Sequence, residues 1–252
     1  MKVNLANVCL VVSDIDYTLV DFGKGHRAAI KALASLFGSH LADEVDKIFH
    51  LMLEGHRRAR DADWEERQAF QIVIDQIKRL QALLLATYGV KPWSREAWII
   101  IVAQHLQLSL TPQQIEEGRD AYWRALSRNA TLYDDTHEFL EDLQEAGIPL
   151  VLMTSSDSIC RVTEDHSVMY DPIYSEQYKR KRLKRLPLRY QKLVIGDPID
   201  KPDPRFFDKV FQAIAGLGNF PTDKILVVGD SERSDLQEPR QRGCKTLLVT
   251  RN

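Results

Sequence analysis

Two aspartates one residue apart, Asp14 and Asp16, follow the apolar pair Val11-Val12 and precede Thr18. In an extended strand side chains alternate faces, so the two carboxylates are expected to point the same way. Carboxylates side by side at a strand end repel each other and resist burial. A divalent cation would offset that repulsion, whereas a solvated turn would avoid it. This segment alone leaves both readings open.

Three later segments repeat the pattern of an apolar run that ends in polar groups. Val151-Leu152-Met153 runs into Thr154-Ser155-Ser156, and Leu193-Val194-Ile195 leads after a short turn to Lys201-Pro202-Asp203-Pro204. Leu226-Val227-Val228 leads into Gly229-Asp230-Ser231, with Asp235 close behind. Open parallel α/β sheets bind ligands just outside the carboxyl ends of their strands. If these strands are neighbours, Asp14, Asp16, Thr154, Lys201 and Asp230 converge on one crevice. Carboxylates suit a hard cation such as Mg²⁺. A hydroxyl, a lysine and backbone N–H groups at helix N-termini suit a phosphoryl group.

The elements that must position these groups are legible in outline. Short β-rich runs at 8–12, 149–153, 192–195, 225–228 and 246–250 alternate with helical patterns. That alternation predicts an α/β fold, a Rossmann-like parallel sheet with helices on both faces. The stretch 25–129 has almost no strand signal. Phe70, Val73, Ile74, Ile77, Leu80 and Leu84 recur at helical spacing, as do Trp98, Ile101, Val102, His105 and Leu106. Thr111 suits an N-cap with Pro112 at the first helical position, and a helix over 135–146 should end at Gly147. The chain is expected to divide into a core, residues 1–22 and 131–252, and an inserted all-helical cap, residues 23–130.

Composition narrows the classes further. The 252 residues are 44% hydrophobic and 28% charged with a net charge of -2, enough for one generous domain or two smaller ones. So even a balance argues against a protein whose whole surface binds nucleic acid. Cys9, Cys160 and Cys244 are widely spaced with no CxxC pair, which excludes a cysteine-rich metal site. Cys9 and Cys244 sit in apolar runs and read as small buried hydrophobes of a reducing cytosol, so a cytoplasmic location is expected. The most apolar run, 97–103, falls far short of the roughly twenty residues a membrane span needs. The apolar stretch before Ser13 is too short for a signal-peptide core.

The four polar segments, in this order, resemble the haloacid dehalogenase superfamily of phosphoryl-transfer enzymes. Asp14, Asp16 and Thr18 match its D-x-D-x-T motif, and Thr154 matches the hydroxyl residue that ends its second strand. Lys201-Pro202 matches its lysine, and Gly229, Asp230 and Asp235 match G-D-x-x-x-x-D. The resemblance covers about 5–22 and 132–250, and the insertion resembles the helical cap of the family's first cap class. It implies a Mg²⁺-dependent phosphatase acting on a small phosphorylated metabolite, such as a sugar phosphate or nucleotide, through an aspartyl-phosphate. Asp14 would be the nucleophile and Asp16 the acid and base. Thr18, Thr154, Ser155 and Lys201 would serve the phosphate. Asp14, the main-chain carbonyl of Asp16 and Asp230 would hold Mg²⁺, with Gly229 and Asp235 in support and Asp235 orienting Lys201 or a metal-bound water. The resemblance also implies that Asp16 favours phosphate esters over haloacids, because a halide leaves without a proton and the family's dehalogenases lack this aspartate. A phosphomutase, or a non-catalytic scaffold that kept the fold, are the alternatives.

Some features depart from the family pattern. Ser155 stands where the family commonly has asparagine, and whether its hydroxyl or its backbone N–H meets phosphate is open. Pro239 falls where a helix should follow the fourth motif and is expected to shorten or kink it, since an interior proline costs about 3 kcal/mol. The stretch 160–192 is longer than a compact crossover needs and contains Lys179-Arg180-Lys181-Arg182-Leu183-Lys184-Arg185, with Arg189 beyond. It reads as a solvated helix face or mobile loop in preference to a nucleic-acid contact. Glu54-Gly55-His56-Arg57-Arg58 and Trp93 read as a solvated face that could also choose the substrate. His26 and His137 are unremarkable.

Overall fold

The computed structural model describes residues 5–41, 43–47, 94–165 and 168–251, with single helical positions at 68, 71, 75, 79, 82 and 86. The periodic set from Phe70 to Leu84, the segment Glu54 to Arg58 and Trp93 lie outside the described residues. The chain forms two compact units. One comprises Met1–Gly23, Ala130–Ser156 and Glu176–Asn252, and the other Lys24–Asn129 and Asp157–Ser175. Residues 157–175 group with the second unit, a division the sequence reading did not draw.

In chain order the described strands are β1 (Leu10–Asp14), β2 (Val20–Asp21), β3 (Thr131–Leu132), β4 (Leu150–Ser155), β5 (Cys160–Val162), β6 (Val168–Tyr170), β7 (Lys192–Gly196), β8 (Ile225–Gly229) and β9 (Lys245–Leu248). Among the described residues the first unit holds a five-stranded sheet in the order β7-β4-β1-β8-β9, with every pair parallel. The chain lays down β1, β4 and β7 to one side, then returns to place β8 and β9 on the other. The reversal falls between β1 and β8, the position where such sheets open a ligand crevice.

Burial explains why these strands read as continuous apolar runs. Leu10 and Val12 of β1, Val151 and Met153 of β4, and Ile225 and Val227 of β8 share one face with Phe206, Phe207, Val210 and Ile214. Those four form the apolar stripe of helix Pro204–Ala215, whose N-cap Asp203 accepts from the Arg205 N–H with Pro204 at the first position. The alternate residues Val11, Ser13, Leu152, Thr154 and Val228 are buried as well, so both faces of the sheet are covered. Helix Asp134–Glu145 ends where expected, with Gly147 in the left-handed region at φ 65°.

One expectation needs correction here. Strand β1 begins at Leu10, and Cys9 lies just before it, exposed rather than buried, although its N–H donates to the Lys224 carbonyl at 2.9 Å. The short helix expected around Pro239 is present: the buried proline lies in a helix of only five residues, Gln237–Gln241, preceded by a π-helical turn at Glu232–Leu236. The proline occupies the first turn, where a missing N–H removes no intrahelical bond.

The second unit contains helices Arg95–His105 and Pro112–Asn129 and most of Gly23–Phe37. Thr111 caps its helix reciprocally: its hydroxyl accepts the Gln114 N–H at 3.2 Å and its own N–H donates to Gln114 Oε1 at 2.8 Å. Glu96 is fully buried, paired with Arg119 at 3.0 Å, and accepts the Cys160 N–H at 2.9 Å. That buried pair ties the antiparallel ribbon β5–β6 to the helices. No helix among the described residues is long and apolar enough to cross a membrane.

Candidate active site

All groups of the site lie in the sheet unit. Strand β1 stops at Asp14, and the chain then turns, with Tyr17 at φ 63° and a bridge from Asp16 to Val20. Asp14 and Asp16 are therefore not two positions of one extended strand, as the alternation argument expected. Asp14 is 3% exposed, while the Asp16 side chain keeps 31% of its surface. Thr18, expected to serve the phosphate, is engaged within the protein by its side chain. Its buried hydroxyl donates to Asp14 Oδ2 at 3.0 Å, so it fixes the aspartate. The turn is pinned from the far end of the chain: Arg251 donates to the Thr18 carbonyl and, at 2.8 Å, to both oxygens of Asp135.

Lys201 is the central cation. Its Nζ donates to Asp14 Oδ1 and to Asp235 Oδ1, each at 2.6 Å. Asp235 is held in turn by the Ser231 N–H at 3.0 Å and the Ser234 hydroxyl at 3.2 Å. Asp200 Oδ1 accepts the Lys201 N–H at 2.7 Å and the Ser155 hydroxyl at 3.0 Å, so the Ser155 hydroxyl is directed at Asp200. Two glycines make these approaches possible. A Cβ at Gly229 would lie 2.4 Å from Asp235 Cβ, and one at Gly196 would lie 2.0 Å from Asp200 Oδ1.

The electrostatics follow from burial. Desolvation pushes the Asp14 carboxyl up to about 7 against the opposing pull of Lys201, with Asp235 and Asp16 adding repulsion. Desolvation would lower the Lys201 pKa, but Asp14 and Asp235 outweigh it and hold the ammonium well above its ordinary value. Asp230 rises to about 6, from desolvation first and Asp235 second. Asp14, Asp230 and Asp235 each offer a carboxylate oxygen, all within 4.8 Å of one another. Such a donor set fits a hard divalent cation, and the raised values of Asp14 and Asp230 mark a place short of positive charge. Asp235 supplies the third carboxylate of this group, whereas the sequence reading paired Asp14 and Asp230 with the Asp16 carbonyl.

Asp16 has a partner that the sequence reading missed. Its Oδ2 accepts from Lys179 Nζ at 2.9 Å, and Thr154 Oγ1 lies 3.4 Å away, nearly the same distance as to the Ser155 carbonyl at 3.3 Å. Asp16 Oδ1 is buried with no hydrogen-bond partner among the described residues. The basic run is thus not simply a solvated face. It lies on helix Pro172–Leu183, where Lys179 is 1% exposed and Arg182 is buried with its guanidinium 5.3 Å from the Phe22 ring centre. Arg180 pairs with Glu176 and donates to the Leu193 carbonyl at 3.2 Å. Lys181, Lys184, Arg185 and Arg189 are exposed as expected. The available signal was the spacing of Ser175, Lys179, Arg182 and Leu183, which share one helix face. A hydropathy criterion passes over a buried stripe made mainly of polar residues.

The fold is a doubly wound parallel α/β sheet with carboxylates and a lysine gathered at its reversal point, where such sheets bind ligands. Residues 9–243 match the model of the haloacid dehalogenase-like hydrolases, and the chain belongs to that family. No curated protein matches it. Among solved structures it is similar to a candidate β-phosphoglucomutase from Thermotoga maritima, at 18% identity and TM-score 0.57 over 96% of this chain and 86% of that one. A 2-haloacid dehalogenase from Pseudomonas syringae pv. Tomato DC3000 aligns at 17% identity and TM-score 0.56, with the same 96% and 86% covered. A HAD phosphatase from Thermococcus onnurineus aligns at 17% identity and TM-score 0.50, again over 96% and 86%. At these identities the likenesses show the fold.

Proposed function

We propose that this hydrolase is a Mg²⁺-dependent phosphatase acting on a small phosphorylated metabolite. The observation that carries the reading is the unlike environment of the two aspartates. Asp14 has an oxygen on Lys201 and the other on Thr18, whereas Asp16 is held through Oδ2 and its Oδ1 has no hydrogen-bond partner among the described residues. A group that must pass a proton to and fro needs such an oxygen, and one that must attack needs to be fixed.

The residues support a two-step reaction. A carboxylate oxygen of Asp14 attacks phosphorus, the phosphorus–ester oxygen bond breaks, and the leaving alkoxide takes a proton from Asp16. Asp16, now ionised, accepts a proton from water as that water attacks the aspartyl-phosphate. The bond from phosphorus to Asp14 breaks and inorganic phosphate departs. Lys201 stabilises charge on the phosphoryl oxygens and keeps Asp14 in place. Asp14, Asp230 and the Asp16 main-chain carbonyl would hold Mg²⁺, with Asp235 beside them. When bound it would neutralise the phosphoryl oxygens and relieve repulsion at the attacking carboxylate. A halide would need no proton from Asp16, so this aspartate supports ester hydrolysis over dehalogenation.

The test is phosphate release from a panel of phosphorylated metabolites with Mg²⁺, comparing wild type with Asp14→Asn. Release by wild type alone is expected. Equal activity of the two proteins, or equal inactivity across the panel, overturns the reading. An isomerised sugar phosphate in place of free phosphate would assign transfer instead.

A further inference from the structure

We propose that Lys179 is a positioning residue for Asp16, clamping its Oδ2 and so fixing the orientation of the carboxyl group toward the reacting groups. The role rests on the phosphatase reading above. Four observations lead to it. The Lys179 side chain is 1% exposed, and burial of an ammonium is costly unless a carboxylate compensates it. Its Nζ lies 2.9 Å from Asp16 Oδ2, a proper charge-assisted bond. The other contact to that oxygen, from Thr154 at 3.4 Å, is too long to fix a rotamer. Lastly, Asp16 follows the end of β1 on a turn, where an isolated bridge to Val20 takes the place of a strand ladder.

The residue comes from outside the four motifs and from a helix whose charged sequence suggests a surface. Lys201 and Lys179 therefore divide the work between the two aspartates: one ammonium fixes Asp14, the other fixes Asp16. With Lys179 gone, Asp16 would rotate between conformers, and both its proton donation and its proton abstraction would become inefficient. Attack by Asp14 itself would be little affected.

That division gives a readout which a merely structural lysine would not move. The probe is p-nitrophenyl phosphate, whose phenolate leaves with little need of a proton. Wild type, Lys179→Met, Asp16→Asn and the double variant Asp16→Asn/Lys179→Met are compared by rapid mixing with Mg²⁺. Lys179→Met is expected to lower kcat about ten-fold or more, part of the 10²–10⁴ that acid–base catalysis supplies. Its kcat/KM should stay near wild type, and a burst of nitrophenolate should report accumulated aspartyl-phosphate. The double variant should be no slower than Asp16→Asn, because Lys179 acts through Asp16. Lys179→Arg, which keeps the cation, should recover part of the loss. If Lys179→Met does not fold, Lys179→Gln carries the comparison, with the same split at smaller amplitude. Wild-type kcat in these variants overturns the proposal. So does a kcat/KM that falls as far as kcat without a burst, or a double variant whose loss is the product of the two single losses. A wild type that neither turns over the probe nor forms a phosphoenzyme overturns the phosphatase reading first, and this role with it.

Discussion

Lys201 Nζ sits 2.6 Å from Asp14 Oδ1, joining a strand end to a loop 187 residues further along the chain. The same ammonium reaches Asp235, and all three side chains are almost fully buried. Lys201→Met would leave two buried carboxylates without their cation. Breaking a buried pair by removing one partner costs about 3–5 kcal/mol, and the loss should appear as a lower urea midpoint in metal-free protein. Phosphate release should fall by at least about 10²-fold, as for removal of a preorganised charge from an active site. A variant as stable and as active as wild type would show that the pair is ornamental.

The raised carboxyls make cation binding depend on pH. In the folded protein Asp14 titrates up near about 7 and Asp230 near about 6, both chiefly because of burial. Folded-state values above the ordinary carboxylate range mean that the metal-free fold holds extra protons in mild acid. Its stability from these groups is present at low pH and is lost as pH rises through about 4 to 7. A cation needs the ionised forms, so the Mg²⁺ concentration for half-maximal activity should rise by about ten-fold or more between about pH 8 and pH 5.5. Titrations of activity and of melting temperature with Mg²⁺ at several pH values check both signs.

Gly229 packs directly against Asp235 behind the site. A methyl there would meet Asp235 Cβ at 2.4 Å, which no small adjustment relieves. Gly229→Ala should push Asp235 away from Lys201 and lower kcat by about 10²-fold, with a loss of about 1–3 kcal/mol from overpacking. Steady-state kinetics and thermal unfolding of this variant test it. An unchanged kcat would mean that Lys201 does not depend on Asp235.

The three cysteines should separate by reactivity. Cys9 is exposed, Cys160 and Cys244 are buried, and burial pushes the Cys244 thiol up to about 11. Because the thiolate is the reacting form, iodoacetamide near about pH 8 should modify Cys9 and spare the other two in the folded protein. Peptide mass analysis after native and denatured labelling gives the answer directly.

Much of this arrangement was legible before any coordinates. Five apolar runs mark the five sheet strands, most clearly the central β4, β1 and β8, which are buried on both faces. Thr111-Pro112 and Gly147 mark helix ends, because caps are local chemistry. Asp14, Lys201 and Asp235 were readable as site candidates, because each follows a strand at the sheet's carboxyl edge. Lys179 was not, since periodicity arguments weigh hydrophobicity and a buried ammonium has the same signature as a solvated one. The bond from Thr18 to Asp14 was not readable for a related reason: a hydroxyl in a motif can serve the ligand or the residue that meets the ligand, and spacing does not distinguish them.

The sequence by itself determined the strand content, the parallel connectivity and which carboxylates could share a crevice, all consequences of local patterning and chain order. Tertiary structure decided which oxygens those carboxylates offer. Lys179 turns inward to Asp16, Thr18 turns to Asp14, and Asp235 joins Asp14 and Asp230, because each contact is set by the packing of segments far apart in the chain. A pair of aspartates with one chemical identity thereby acquires two environments, one buried and doubly anchored, the other held by a single oxygen.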